Sequence, residues 1–220
     1  CLSRDSGFGI RDSARHTGKP EPLPQTMDKL LGEIRACRIC AAQLPLGPRP
    51  VLQASSTSRL LIVSQAPGRK VHDTGIPFND VSGERLREWL GMDKPTFYDP
   101  ARVAIVPLGF CFPGTGTGGD LPPRPECAPA WHPRLFPLLR HIQLTLAIGR
   151  YAQAGMLGAS RGATLTDTVR AWGMHLAHGV LPLPHPSPRN RPWVMHNPWF
   201  EAELVPVLRE HVAAALRGVD

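Results

Sequence analysis

No apolar stretch in the 220-residue chain approaches the roughly 18 residues that a membrane-spanning helix needs, so no membrane partner is expected. The first residues also lack the apolar core of a signal peptide, which sets the expectation of an intracellular, cytoplasmic protein. Charge is sparse: 20% of residues are charged against 42% apolar, too apolar a balance for a disordered chain. Acidic residues are the scarcer sign, 18 against 25 basic, giving a formal net charge of +7. That excess suits a polyanionic partner, nucleic acid first among them, although many soluble proteins are simply basic. No internal repeat divides the chain, and its length suffices for one full α/β domain and little more.

What is present falls into a tail and a patterned body. Residues 1–26 are rich in Gly, Ser, Pro and charge without periodicity, and read as a flexible N-terminal tail. Residues 27–220 then alternate short apolar runs with amphipathic stretches. "RLLIVS" (59–64), "RVAIVPLGF" (102–110), "LTLAIG" (144–149) and the run in "GVLPLPHP" read as four strands. Between and after them, "GERLREWLG" (83–91), "RYAQAGML", "LTDTVRAW" (165–172) and a C-terminal stretch bent near Pro206 read as helices. Apolar runs separated by helices imply βαβ units. The expected fold is therefore a three-layer α/β/α domain around a parallel sheet of about four strands. Ligands in such sheets bind where loops leave the carboxyl ends of the strands, here after strands one, two and four.

The loop after the first strand, "SQAPGRKVHDTGIPFNDVSG", interleaves Gln65, His72, Asp73, Asn79 and Asp80 with the aromatic Phe78 among stiffening prolines. The loop after the fourth, "LPLPHPSPRNRPW", holds His185 between prolines that fix the backbone. A binding site is one reading of these loops. A packed loop Phe and a histidine at a strand end are the plainer one.

"SQAPG", "GIPFNDVSG" and "HPSPRN", in this order and with the first and last about 120 residues apart, resemble the uracil-DNA glycosylase superfamily, and the resemblance runs over roughly residues 28 to 216. It implies a monofunctional DNA glycosylase that flips a deaminated base, uracil first, out of DNA and hydrolyses its N-glycosidic bond. His185 is then the donor to the uracil oxygen where negative charge grows. Backbone around Gln65 and Ala66 supplies further polar contacts, with Gln65 counted in the catalytic set. Phe78 stacks on the flipped ring. Ser187, Arg189, Asn190 and Arg191 face DNA, Arg189 as the wedge that fills the gap and Arg191 on phosphate, or else as a solvated basic turn. No lysine is placed to form a Schiff base, so strand cleavage is not implied.

Two departures from the family pattern stand out. Ala66 and Gln65 occupy the positions where two branches of the family carry a water-activating acid, which leaves Asp80 of "DVSG" as the favoured carboxylate, with Asp73 and His72 in reserve. Each could instead cap a turn or helix. Pro107 stands where many members read uracil with an Asn on the second strand. Either Asn79 reads the base, or specificity is relaxed toward bases such as hypoxanthine or xanthine.

Cys37 and Cys40 form C-x2-C, and Cys111 and Cys127 follow at C-x15-C. By resemblance this is the four-thiolate set of the iron–sulfur branch, holding a [4Fe–4S] cluster. The second pair is not the C-x2-C of a zinc ribbon, and an intracellular chain makes disulfides an unfavoured use. Zinc and free thiols remain the alternatives. Cys1 has no evident role. The implied partner is DNA carrying deaminated bases, met by a monomer. A protein that traps damaged DNA without turnover, or a redox protein sharing the scaffold, would carry the same motifs.

Overall fold

The computed structural model describes residues 26–217. The expected tail therefore lies outside the described residues except for Thr26, whose hydroxyl accepts the Lys29 N–H and caps the first helix. Among the described residues there are six strands: β1 Leu60–Val63, β2 Val103–Ile105, β3 Thr115–Gly116, β4 Gly119–Asp120, β5 Leu144–Ile148 and β6 Val180–Leu183. The helices are α1 Met27–Arg35, α2 Arg69–Thr74, α3 Val81–Leu90, α4 Lys94–Phe97, α5 Cys127–Leu135, α6 Gly149–Leu157, α7 Leu165–Arg170, α8 Trp172–Leu176, α9 Arg191–His196 and α10 Val205–Leu216.

Four strands form one all-parallel sheet in the order β2-β1-β5-β6, while β3 and β4 make a separate antiparallel ribbon. Strand alternation divides the core between the two faces. Leu60 and Ile62 pack with Leu86 and Trp89 of α3 and Leu208 and Val212 of α10. Leu61 and Val63 pack with Leu30 and Ile34 of α1, Trp131 and Leu135 of α5, and Ala152 of α6. Each fully buried Leu or Ile contributes about 1.5–3 kcal/mol, so a strand buried on both faces is held twice over. The three-layer α/β/α architecture is as the alternation of apolar runs indicated.

Local chemistry explains where elements stop. The expected second strand is cut to Val103–Ile105: Val106 N–H still reaches Ile62 O (2.9 Å), but Pro107 has no N–H to continue the ladder. The expected helix over 165–172 breaks at Ala171 into α7 and α8. Near Pro206 the chain is not simply bent. Residues 200–204 form a π-helical turn, and Pro206 sits in the first turn of α10, where its missing N–H is not needed.

Because the chain leaves β1 for one side of the sheet and reaches β5 on the other, a crevice opens at the carboxyl ends of these two central strands. The site is built there.

Candidate active site

Phe78 is placed by a strained turn. It is the only non-glycine among the described residues with positive φ (+52°), a conformation that costs about 1–3 kcal/mol. Several contacts hold it. The Tyr98 hydroxyl donates to Phe78 O and itself receives Arg87 Nη1, both at 3.3 Å. The Phe97 ring meets Phe78 edge-on with centroids 6.2 Å apart. Gly83 in the first turn of α3 allows the close approach: a Cβ there would overlap the Phe78 carbonyl oxygen and lie 2.8 Å from Phe78 Cβ. Asp80 begins α3 as its N-cap, its Oδ1 accepting the Gly83 N–H at 2.9 Å.

His185 follows β6. Its Nδ1 accepts the backbone N–H of Ser187 (3.2 Å), which in the neutral ring assigns the proton to Nε2. Asn190 Nδ2 donates to His185 O (2.9 Å), and Ser187 Oγ accepts the Arg189 N–H (3.2 Å), so the "HPSPRN" turn closes on itself. Gly149, at φ +78°, lies beneath the ring; a Cβ there would stand 3.4 Å from His185 Cβ. Surrounding protein desolvates the imidazole and pulls its pKa below the ordinary 6.5, only partly offset by the carboxylates of Asp80 and Asp120. The site thus holds a neutral imidazole with an Nε2–H to give.

Between these elements lies a pocket lined by Ser64, Ala66, Phe78, Asp80, Asp120 and His185, among others. It encloses a cavity of about 110 Å³. A groove adjoins it, lined by Gln65, Arg150, Tyr151, Arg189 and Asn190. Ala66, Asp120, His185 and Ser187 belong to both walls.

Of the residues singled out from sequence, Ala66, Phe78, Asp80, His185 and Ser187 come together in the pocket, and Gln65, Arg189 and Asn190 line the adjoining groove. Gln65 is also a tie, its Nε2 donating to Leu121 O (2.9 Å). The remainder fall elsewhere. Asn79 is not among the lining residues. Asp73 is exposed on α2 and paired with Arg69 (3.1 Å). His72 is buried against Phe112. Arg191 lines a different surface cavity, with Glu84, Glu88 and Arg209. Pro107 is in the pocket wall, but its carbonyl oxygen faces His132 Nε2 at 3.1 Å and is already engaged. Sequence reasoning missed Asp120 and the Gly149–Tyr151 segment after β5. The signal available for Asp120 was a lone carboxylate closing a run of glycines in "GTGTGGD".

Cys37, Cys40, Cys111 and Cys127 line one further pocket. No group of three or more His, Cys, Asp or Glu among the described residues is disposed to hold a single metal ion. The four thiols nonetheless face a common space, and Cys127 Sγ accepts the Phe110 N–H (3.3 Å). Burial pushes the Cys111 pKa up to about 11 and that of Cys127 up to about 12, so without a metal these thiols stay protonated. Four cysteines are the ligand type that an iron–sulfur cluster takes.

No helix among the described residues is long and apolar enough to cross a membrane. The family model described as Uracil DNA glycosylase superfamily matches residues 52–209. That span takes in both motif loops, His185, Asp80, Asp120, Cys111 and Cys127, while Cys37 and Cys40 precede it. With the sheet, the crevice and the His185 turn in place within it, the chain belongs to the uracil DNA glycosylase superfamily, a family of DNA glycosylases.

Proposed function

We propose that the protein is a monofunctional glycosylase that removes uracil from DNA and so begins base excision repair, working as a monomer on intracellular DNA. The observation that carries this reading is the neutral His185, its Nδ1 occupied by the Ser187 N–H and its Nε2–H free to donate, on the wall of the pocket that holds Phe78. The flipped base stacks on Phe78. As the N-glycosidic bond breaks, its electrons move into the ring, and His185 Nε2–H stabilises the negative charge on the carbonyl oxygen without giving up its proton. Water adds at the sugar carbon that is left electron-poor. Asp80, whose Oδ1 caps α3, lines the same pocket as His185. Arg189 and Asn190 meet the DNA at the groove.

A second reading concerns the base. With Pro107 in the wall and Asn79 outside the lining, no Asn or Gln side chain stands among the residues that line the pocket. This favours a relaxed choice among deaminated bases. Both readings are tested with oligonucleotides carrying a single uracil, hypoxanthine or xanthine, incubated with excess protein and then treated with alkali. Cleavage of the uracil strand only after alkali is the expected outcome, and strand scission without alkali overturns the monofunctional assignment. If none of the three is cleaved but the DNA is bound stoichiometrically, a trapping protein replaces the enzyme.

In this reading Cys37, Cys40, Cys111 and Cys127 hold a [4Fe–4S] cluster that fastens the loops around β2 to the end of α1, a structural role. The purified protein should then contain about four irons and four acid-labile sulfides per chain. Metal analysis that returns zinc, or no metal in protein purified without air, removes the cluster from the account.

A further inference from the structure

The pocket contains a carboxylate that none of the motifs supplies. Asp120 ends the β3–β4 ribbon, and it is one of four residues that line both the base pocket and the adjoining groove, His185 being another. A base in the pocket with its DNA strand in the groove would have its sugar at this shared wall, where the bond breaks. The ribbon is fixed there from several sides. Gln65 Nε2 holds Leu121 O, Leu121 N–H donates to Gly114 O (2.9 Å), and the Arg189 guanidinium lies over Gly119, which at φ +125° has no side chain to obstruct it. The carboxylate also has room to approach the β1 loop. A Cβ on Gly68 would come within 3.2 Å of Asp120 Oδ2. Among the described residues, a 3.4 Å contact from Thr115 Oγ1 is the hydrogen bond to Oδ1. Asp80 differs, since its Oδ1 is taken by the Gly83 N–H.

We propose that Asp120 is the catalytic residue that orients the attacking water, standing in for the acids absent at Gln65 and Ala66. The assignment rests on the glycosylase reading above. The C1′–N bond breaks with its electron pair passing to the base, which leaves as an anion beside His185. The water oxygen forms the new bond to C1′, and its proton passes to the Asp120 carboxylate and from there to solvent. The ribbon thus delivers from the third dimension what the first motif lacks in sequence.

The test compares Asp120→Asn with Asp80→Asn and wild type in single-turnover cleavage of the best of the three lesions, together with affinity for the same DNA. Asp120→Asn is expected to lose on the order of 10²-fold in rate while binding DNA as tightly as wild type or more so, because a negative charge has been removed near phosphates. A ribbon that had merely lost its shape would weaken binding as well, and that result overturns the assignment. So does an Asp120→Asn rate within about threefold of wild type, with Asp80→Asn carrying the loss instead. If wild type cleaves none of the three lesions, the glycosylase reading itself falls and takes the assignment with it, an outcome distinct from an active wild type with an active variant.

Discussion

Replacing His185 with alanine should slow base release by 10²- to 10³-fold or thereabouts, the range expected when one preorganised donor to a developing oxyanion is removed, about 2.7–4 kcal/mol of transition-state stabilisation. Affinity for DNA should change little, since Arg189 and Asn190 in the groove are untouched. The physical ground is the tautomer. With Nδ1 accepting the Ser187 N–H, the neutral ring has one remaining use, donation from Nε2. A loss confined to binding, with single-turnover rate intact, would remove His185 from the chemistry.

The same hydrogen bond sets the pH dependence. Desolvation lowers the His185 pKa, so the folded ring stays neutral as pH falls through the ordinary 6.5. Protonating Nδ1 would set an N–H against the Ser187 N–H and open the turn. Activity is therefore expected to hold through 6.5 and to fall only at more acid pH. For stability the sign is the same. Between the lowered pKa and 6.5 the unfolded chain binds the proton that the folded one refuses, so this contribution is complete above 6.5 and is lost as pH falls. A rate that rises on acidification through that window would mean that imidazolium, not imidazole, is the working form.

How far the sequence revealed this arrangement depended on the kind of signal each part carries. The strands were legible because Leu60–Val63 is an unbroken apolar run and Leu144–Ile148 is interrupted only by Thr145, as two-sided burial requires. Helix α3 was legible from its stop at Gly91, which takes the left-handed conformation (φ +63°). Helix α2 was not. "RKVHDT" is short and polar with only Val71 and His72 buried, and nothing in its pattern separates it from a loop. In the site, His185 and Phe78 were found because motif and chemistry agree on them. Asn79 was misplaced because the sequence does not say which of two neighbouring side chains lines the pocket, and only Phe78 does. Asp120 was invisible for a different reason. Its role depends on a Gly-rich ribbon folding back over the β1 loop through the Gln65–Leu121 contact, a tertiary event with no periodicity to announce it. Pro107 shows a third limit. The sequence could say that proline offers only a carbonyl, but not that His132, 25 residues on, would hydrogen-bond to it.

The strain at Phe78 gives the second large expected effect, and Gly83→Ala measures it. On helix propensity alone the change should help, because Gly costs about 1 kcal/mol relative to Ala inside a helix. Gly32 in α1 is the matched control: a Cβ there meets nothing within 4 Å, so Gly32→Ala should stabilise by about 0.5–1 kcal/mol. At Gly83 the steric term wins. The new Cβ would overlap the Phe78 carbonyl oxygen and crowd its carbonyl carbon at 2.7 Å, and this is backbone that cannot swing away as a side chain could. Relief requires Phe78 to leave its turn, breaking the Tyr98–Phe78 hydrogen bond and the edge contact with Phe97, or α3 to lose its first turn with the Asp80 cap. Gly83→Ala should therefore cost about 3 kcal/mol, a Tm lower by about 6–12 °C for a domain of this size, and it should remove most activity on any base because the stacking surface moves. Thermal unfolding of the two variants side by side decides the matter. Opposite signs at Gly32 and Gly83 are expected. A Gly83→Ala protein as stable and as active as wild type would mean that Phe78 is not held as a platform by the start of α3, and the stacking role would have to pass to another wall of the pocket.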